Sequence, residues 1–359
     1  MLYVQVVPEY PHRLALDEKE DYFYWPARLM LDRGYKAEFL TTQPGAQDQV
    51  CKGTTTKRFS SARAIISYIN KKRDIKLVHA HLRPYFPSLL TALSNKPKIL
   101  TPHTYILGSN PFIAAASVFL MKKFDRIIAL TPYEKEVYVR AGIPAEKIAV
   151  IPHPVNYRFY SAAVRNAPSI RKKMGIKDEL VIVTVANIRK FKRIDTLLKA
   201  FKELSSSVNA KLIIVGEDLL RKEKVPSVTE MAGTMGIKNL VQTGFLPAGK
   251  VSEILAVADV FVNTSDNEPM CLAVYEAASA GVPLCLSNIG SFTSVFKGMA
   301  RYHHCADYLT LAENILYYAR NRREAAEKGR KLKQFVRAWD FDAIRKRMAK
   351  LYEEVMGES

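Results

Sequence analysis

Short β-branched runs alternate with longer stretches of helical period along most of this chain, and they do so in two separate series. The first comprises residues 2–7 (LYVQVV), 36–42 (KAEFLTT), 76–80 (KLVHA), 98–101 (KILT), 126–130 (RIIAL) and 147–152 (KIAVIP), with helix-like stretches such as Trp25 to Gly34, Ala62 to Arg73 and Pro132 to Gly142 between them. Such alternation predicts βα units around a parallel sheet. After a polar lapse over residues 162–179, a second series reads 179–187 (ELVIVTVAN), 211–216 (KLIIVG), 239–244 (NLVQTG), 259–265 (DVFVNTS) and 282–287 (VPLCLS). From Tyr308 onward strands give way to two or three amphipathic helices rich in Lys and Arg.

The expected fold class is therefore α/β, with two doubly wound, Rossmann-like domains. Residues 1–163 and 164–338 are expected to form one each, and residues 339–359 a terminal helix. The length of 359 residues agrees with two cores at about 150 residues per domain. Ligands are expected where strands end at their carboxyl edges. No repeat of 20–50 residues is present, which excludes a solenoid.

Composition narrows the partners. Fifty-four Lys and Arg against thirty-five Asp and Glu give a formal charge of +19, which attracts nucleic acid, anionic lipid and phosphorylated substrates alike. The four cysteines match neither a metal site nor a disulfide framework, so a reducing compartment is expected. No stretch reaches the roughly 18 apolar residues of a membrane span, and the expectation is a cytoplasmic protein, soluble or peripheral on the inner face of a membrane.

Several motifs fail at the position their chemistry requires. Gly244 to Lys250 approaches a P-loop, but Val251 replaces the hydroxyl that would hold magnesium. No G-x-G-x-x-G occurs, which argues against an NAD dehydrogenase. Asp340-Phe-Asp342 opens a terminal helix and reads as capping. His79-Ala-His81 ends a strand with both rings on one face, which suits a core and cleft-edge role in the absence of a neighbouring carboxylate or thiol.

The strongest segment runs from Ser265 to Pro283. A buried strand ends in a polar turn, Pro269 falls where a first helical residue is expected, and amides at such a helix start suit a diphosphate. Glu268 and Glu276 are eight apart, which places them about 80° apart if one helix includes both. They could then accept hydrogen bonds from sugar and ribose hydroxyls, or serve only as ordinary helix residues. A second element favours the former: Arg189, Lys190, Lys192 and Arg193 crowd the turn after strand 179–187, and so many cations repel one another unless an anion sits among them.

Together these segments resemble the retaining glycosyltransferases of family 4, which have the GT-B fold. The likeness extends over LVHAH (77–81), TPHT (101–104), residues 127–156, residues 185–201, LIIVGE (212–217), LVQTGFLP (240–247) and the Glu268-to-Glu276 segment. It implies that Arg189 and Lys192 bind the donor diphosphate and that Glu276 holds the ribose hydroxyls. Glu268, with the amides of Met270, Cys271 and Leu272, would hold the donor sugar and distal phosphate. His103 would face that sugar from the N-terminal domain, and Phe245 and Leu246 would lie against the nucleobase. It also implies that the helix Phe341 to Met356 crosses back onto the N-terminal domain.

The implied reaction moves a hexose-type sugar from a nucleoside-diphosphate sugar to a hydroxyl on a glycan or lipid-linked acceptor, with no metal and no cofactor. Fixed cations and amides would stabilise the departing diphosphate, and the acceptor would attack on the same face. Residues 110–124, an apolar stretch ending in lysines, point to the acceptor and to an anionic membrane surface as a candidate partner. The chain departs from the family at three places: Val7 to Trp25 contains no glycine, Asn187 stands where an arginine is frequent, and Pro269 where a glycine is. Two other readings remain open at this point. One is a nucleotide-sugar epimerase or hydrolase of the same architecture. The other is a nucleic-acid-binding protein, for which only charge speaks and no recognised motif does.

Overall fold

The structure is a computed structural model and describes residues 1–8, 23–43, 49–51, 53–82, 86–103 and 110–358. Two compact units divide the chain. Met1–Pro154 and Phe341–Ser359 make the first, and Val155–Asp340 make the second.

In the first unit the strands are β1 (Leu2–Val6), β2 (Lys36–Thr41), β3 (Gln49–Cys51), β4 (Thr54–Arg58), β5 (Ile75–His81), β6 (Lys98–Thr101), β7 (Arg126–Ala129) and β8 (Ile148–Val150), in the order β3-β4-β2-β1-β5-β6-β7-β8. All neighbours are parallel except β3, which pairs antiparallel with β4 at the edge. The chain builds outward from β1 to β2 and β4, then reverses to β5 on the other side. That reversal between β1 and β5 is a switch point, where strand ends leave room for ligands. Alternation along β1 divides its side chains. Leu2, Val4 and Val6 pack with Ile65 and Ile69 of the helix Ala62–Lys71, whereas Tyr3 joins the opposite core.

That opposite core receives the returning helix, Phe341–Met356, whose Ile344, Met348, Leu351 and Tyr352 are spaced to make one buried stripe. Each such side chain contributes about 2 kcal/mol when fully buried. The return of the C-terminal helix to the N-terminal sheet is thus as the sequence implied.

In the second unit β9 (Leu180–Val185), β10 (Ala210–Val215), β11 (Leu240–Gly244), β12 (Val260–Asn263), β13 (Leu284–Ser287) and β14 (Arg301–His303) form an all-parallel sheet ordered β11-β10-β9-β12-β13-β14. Its switch point lies between β9 and β12, which pair through Ile182 with Val260 and Val183 with Phe261. Helices Leu272–Ser279 and Arg322–Val336 approach so closely that a Cβ on Gly329 would lie 2.0 Å from the Gly281 carbonyl oxygen.

The polar stretch 162–179 is largely helical rather than irregular. Tyr157–Ala163 and Ala167–Lys173 are helices that pack on the helix Ala248–Val257 of the second unit. The units accordingly part at Pro154 and Val155, ahead of the expected 163. Among the described residues, no helix is long and apolar enough to cross a membrane.

Candidate functional site

The two segments singled out in the sequence follow β9 and β12, the strands that flank the switch point of the second unit. After β9, residues Lys190–Lys192 make one 3-10 turn, Arg193 adopts a left-handed conformation at φ 49°, and the helix Ile194–Leu204 begins. The two loops are tied together. Thr264 Oγ1 donates to the Lys192 carbonyl at 2.7 Å, and the Asp266 amide donates to the Phe191 carbonyl at 2.8 Å.

These ties bring Lys192 against Glu268. The two form an ion pair, their side chains only 12% and 8% exposed, and Ser265 Oγ donates to the same carboxylate oxygen at 2.9 Å. Burial works against the Lys192 charge, yet neighbouring Cys271 and Glu268 outweigh it and raise the ammonium above its ordinary value. The Lys192 ammonium also lies 5.1 Å from the centre of the Phe191 ring.

Arg189 takes a different partner. It pairs with Glu223 at 3.2 Å, and the second oxygen of that carboxylate accepts the Lys190 amide at 2.7 Å. Sequence reasoning did not anticipate Glu223, which stands far along the chain in a short helical turn after β10. Lys192 is therefore the cation of this loop that the structure places beside Glu268.

The helix does not begin at Pro269. It spans Leu272–Ser279 with Cys271 as N-cap, and no side chain caps its first turn. Glu276 lies on it and Glu268 precedes it, so the helical angle expected between the two does not apply. Met270, Cys271 and Leu272 form the entry to this helix. Cys271 is buried, which, with the nearby Glu268 and Glu276 charges, pushes its thiol up to about 12. Asn263 Nδ2 donates to its sulfur at 3.6 Å. Beyond β11, Phe245 is 47% exposed, Leu246 is half-buried and Val251 packs in the core, where a magnesium-binding hydroxyl would have stood in a P-loop.

A second cluster occupies the first unit. His81 ends β5, His103 follows β6 and His153 follows β8, and their rings form a row. His81 Nδ1 meets His103 Nε2 at 2.8 Å, and His103 Nδ1 meets His153 Nε2 at 3.1 Å. The ring planes are tilted by only 22° and 10°, with centroids 5.1 and 5.0 Å apart, so the rings meet edge to edge. His103 holds φ 58°, a left-handed backbone that costs a non-glycine residue about 1 kcal/mol. His79 lies 4.1 Å from His81, between Tyr352 Oη and Thr101 Oγ1, each 2.7 Å away. Burial drives the imidazole of His79 down to about 3 and that of His81 well below its ordinary value, so both are neutral at pH 7. The sequence offered a signal for His153, a histidine just past a strand end as at His81 and His103, but not its place in this row. Among the described residues, no group of three or more His, Cys, Asp or Glu could hold a metal ion.

Two α/β units, each built on a largely parallel sheet, are the architecture of the GT-B glycosyltransferases. The chain belongs to glycosyltransferase group 1, family 4: residues 27–159 match the family described as "Glycosyltransferase Family 4" and residues 166–335 that described as "Glycosyl transferases group 1". It is 26% identical over 203 residues to the alpha-galactosylglucosyldiacylglycerol synthase of Streptococcus pneumoniae, which covers 55% of this chain and 53% of that protein. It is 26% identical over 244 residues to the alpha-monoglucosyldiacylglycerol synthase of Acholeplasma laidlawii, covering 60% of each. The chain thus spans a little over half the length of these curated relatives. Its fold is shared with HepE of Anabaena, solved in complex with UDP and glucose, at a TM-score of 0.79 and 16% identity over 99% of this chain and all of that one.

Proposed function

We propose that this protein transfers a hexose-type sugar, with retention of configuration, from a nucleoside-diphosphate sugar to a hydroxyl of a glycan or lipid-linked acceptor. The observation that carries the reading is the Lys192–Glu268 pair beside the open first turn of the helix Leu272–Ser279. Cleaving the anomeric C–O bond leaves negative charge on the diphosphate and oxocarbenium character on the sugar. A fixed ammonium and helix amides lower the barrier where that charge develops. Lys192 and Arg189 serve the diphosphate, Glu268 and the amides of Met270, Cys271 and Leu272 the sugar and distal phosphate, and Glu276 the ribose. Phe245 and Leu246 flank the base, and His103 contacts the substrate. For Arg189 to do so, its side chain leaves Glu223.

The donor class is supported by the family and by the UDP and glucose held by HepE. A panel of UDP-, GDP- and ADP-sugars tests it by thermal shift, because a ligand at 100 times its dissociation constant adds about 2.7 kcal/mol of stability. Stabilisation by one series, followed by acceptor-dependent nucleotide release, is expected; no stabilisation by any of them removes the reading.

For the acceptor we favour a lipid at an anionic membrane surface. The helix Pro111–Met121 exposes Phe112, Ile113 and Phe119, and Lys122 and Lys123 follow directly. Lys123 lies over the Phe119 ring at 4.9 Å. Apolar side chains rimmed by cations match lipid tails below anionic headgroups, and both relatives above are named for diacylglycerol products.

A further inference from the structure

Three imidazoles joined by two nitrogen-to-nitrogen hydrogen bonds obey a simple constraint. Each bond needs one proton and each neutral ring carries one. If His81 Nδ1 donates to His103 Nε2, then the His103 proton is on Nδ1 and goes to His153 Nε2, and the His153 proton is on Nδ1. If the first bond runs the other way, all three protons are on Nε2. No mixed arrangement of neutral rings satisfies both bonds at 2.8 and 3.1 Å. The row therefore has two neutral states, and a change at one end is a change at the other.

The inner end distinguishes the two states. His81 is 1% exposed, and its Nε2 has no hydrogen-bond partner. The indole Nε1–H of Trp25 is likewise buried without an acceptor, and both residues line one small cavity. An N–H on His81 Nε2 would add a second buried donor without an acceptor, whereas a bare nitrogen would not. The state with every proton on Nδ1 is the one that buries no further unsatisfied N–H there.

We propose that His81 and His153 are positioning residues that hold His103 as its Nδ1–H tautomer, so that the three rings present one fixed polarity to the substrate. This deepens the role given to His103 above and rests on that reading for its consequence in turnover, though not for its tautomer. The left-handed backbone of His103 and the edge contacts of Phe23 on His81 and His103, at 5.1 and 5.8 Å between centroids, are what such a fixed ring requires. In this arrangement His153 acts only as an acceptor toward His103. Glutamine can replace it in that respect, and phenylalanine, which keeps an aromatic ring at the position, cannot.

The test is nitrogen-15 NMR of the histidine side chains in the ligand-free full chain at pH 8. Protonation at Nδ1 is expected on His81, His103 and His153 alike; Nε2 protonation on any of the three overturns the proposal. Turnover of UDP-glucose supplies the second arm. His153→Phe is expected to lower kcat about tenfold, the size seen when the partner that orients a functional histidine is removed, with KM for the donor unchanged. His153→Gln is expected to remain within about twofold of wild type. Full activity in His153→Phe, or equal loss in both variants, overturns the positioning role. A wild-type protein that turns over no nucleotide sugar rejects the function proposed above, and the tautomer measurement still decides the row.

Discussion

Lys192 and Glu268 face each other across the two loops that follow β9 and β12, and the pair is nearly sealed from solvent. In the proposed role, the lysine that would meet a diphosphate is thus already charged and already held in place.

Removing either partner alone leaves a buried charge uncompensated. Lys192→Ala and Glu268→Ala are each expected to destabilise the second unit by about 3–5 kcal/mol, and Lys192→Met combined with Glu268→Leu to recover most of that loss. Urea unfolding of the three variants checks this, while all three should lose donor affinity in calorimetric titration. Additive losses in the double variant would show that the two do not interact.

Glu276→Ala is expected to weaken nucleotide-sugar binding by about 1.5–3 kcal/mol, the worth of hydrogen bonds to a charged group. Asp340→Ala should leave binding unchanged, because Asp340 pairs only loosely with the exposed Arg158, at 3.6 Å. Calorimetry that finds equal losses in the two would reject this map of the donor site.

Glu134 is buried, and desolvation raises its carboxyl from 4.5 to about 7 against the opposing bonds from Tyr138 Oη at 2.7 Å and the Leu130 amide at 2.6 Å. The folded state therefore holds a proton that the unfolded chain has released. The stabilisation is full below about pH 4.5 and lost as pH rises to about 7, a change of about 3 kcal/mol. Denaturant unfolding of wild type and Glu134→Gln across that range should show the wild type losing about 3 kcal/mol relative to the variant as pH rises. A constant difference would place Glu134 in an ordinary, ionised state.

Membrane docking through Phe112 and Phe119 predicts that Phe112→Ser with Phe119→Ser abolishes sedimentation with phosphatidylglycerol vesicles but spares nucleotide-sugar binding. Wild-type sedimentation should weaken as salt is raised. Indifference of the wild type to such vesicles would remove this surface as a lipid contact.

How much of this was legible in the sequence depends on what each residue is buried against. Strands such as Lys98–Thr101 and Leu180–Val185 were readable because they lie inside a parallel sheet and carry apolar residues on both faces. Thr54–Arg58 (TTTKR) carries no such signal because a strand toward the edge of the sheet tolerates polar side chains, and Gln49–Cys51 and Arg301–His303 are too short to show a period. The start of the helix Leu272–Ser279 is not legible from Pro269, because proline marks a turn as readily as a first helical residue. Lys192 and Glu268 were found as members of two loops, but that they pair depends on β9 and β12 being neighbours, which only the strand order supplies. The same holds for His153, whose partners come from β5 and β6.

The helix Phe341–Met356 follows the second unit in sequence yet belongs to the first. During synthesis, the sheet that emerges first must wait until residue 352 is made before Tyr352 can reach His79 and Tyr3, whereas the second unit has its own residues sooner. The sheet made first is therefore completed by a helix made after the whole of the second unit.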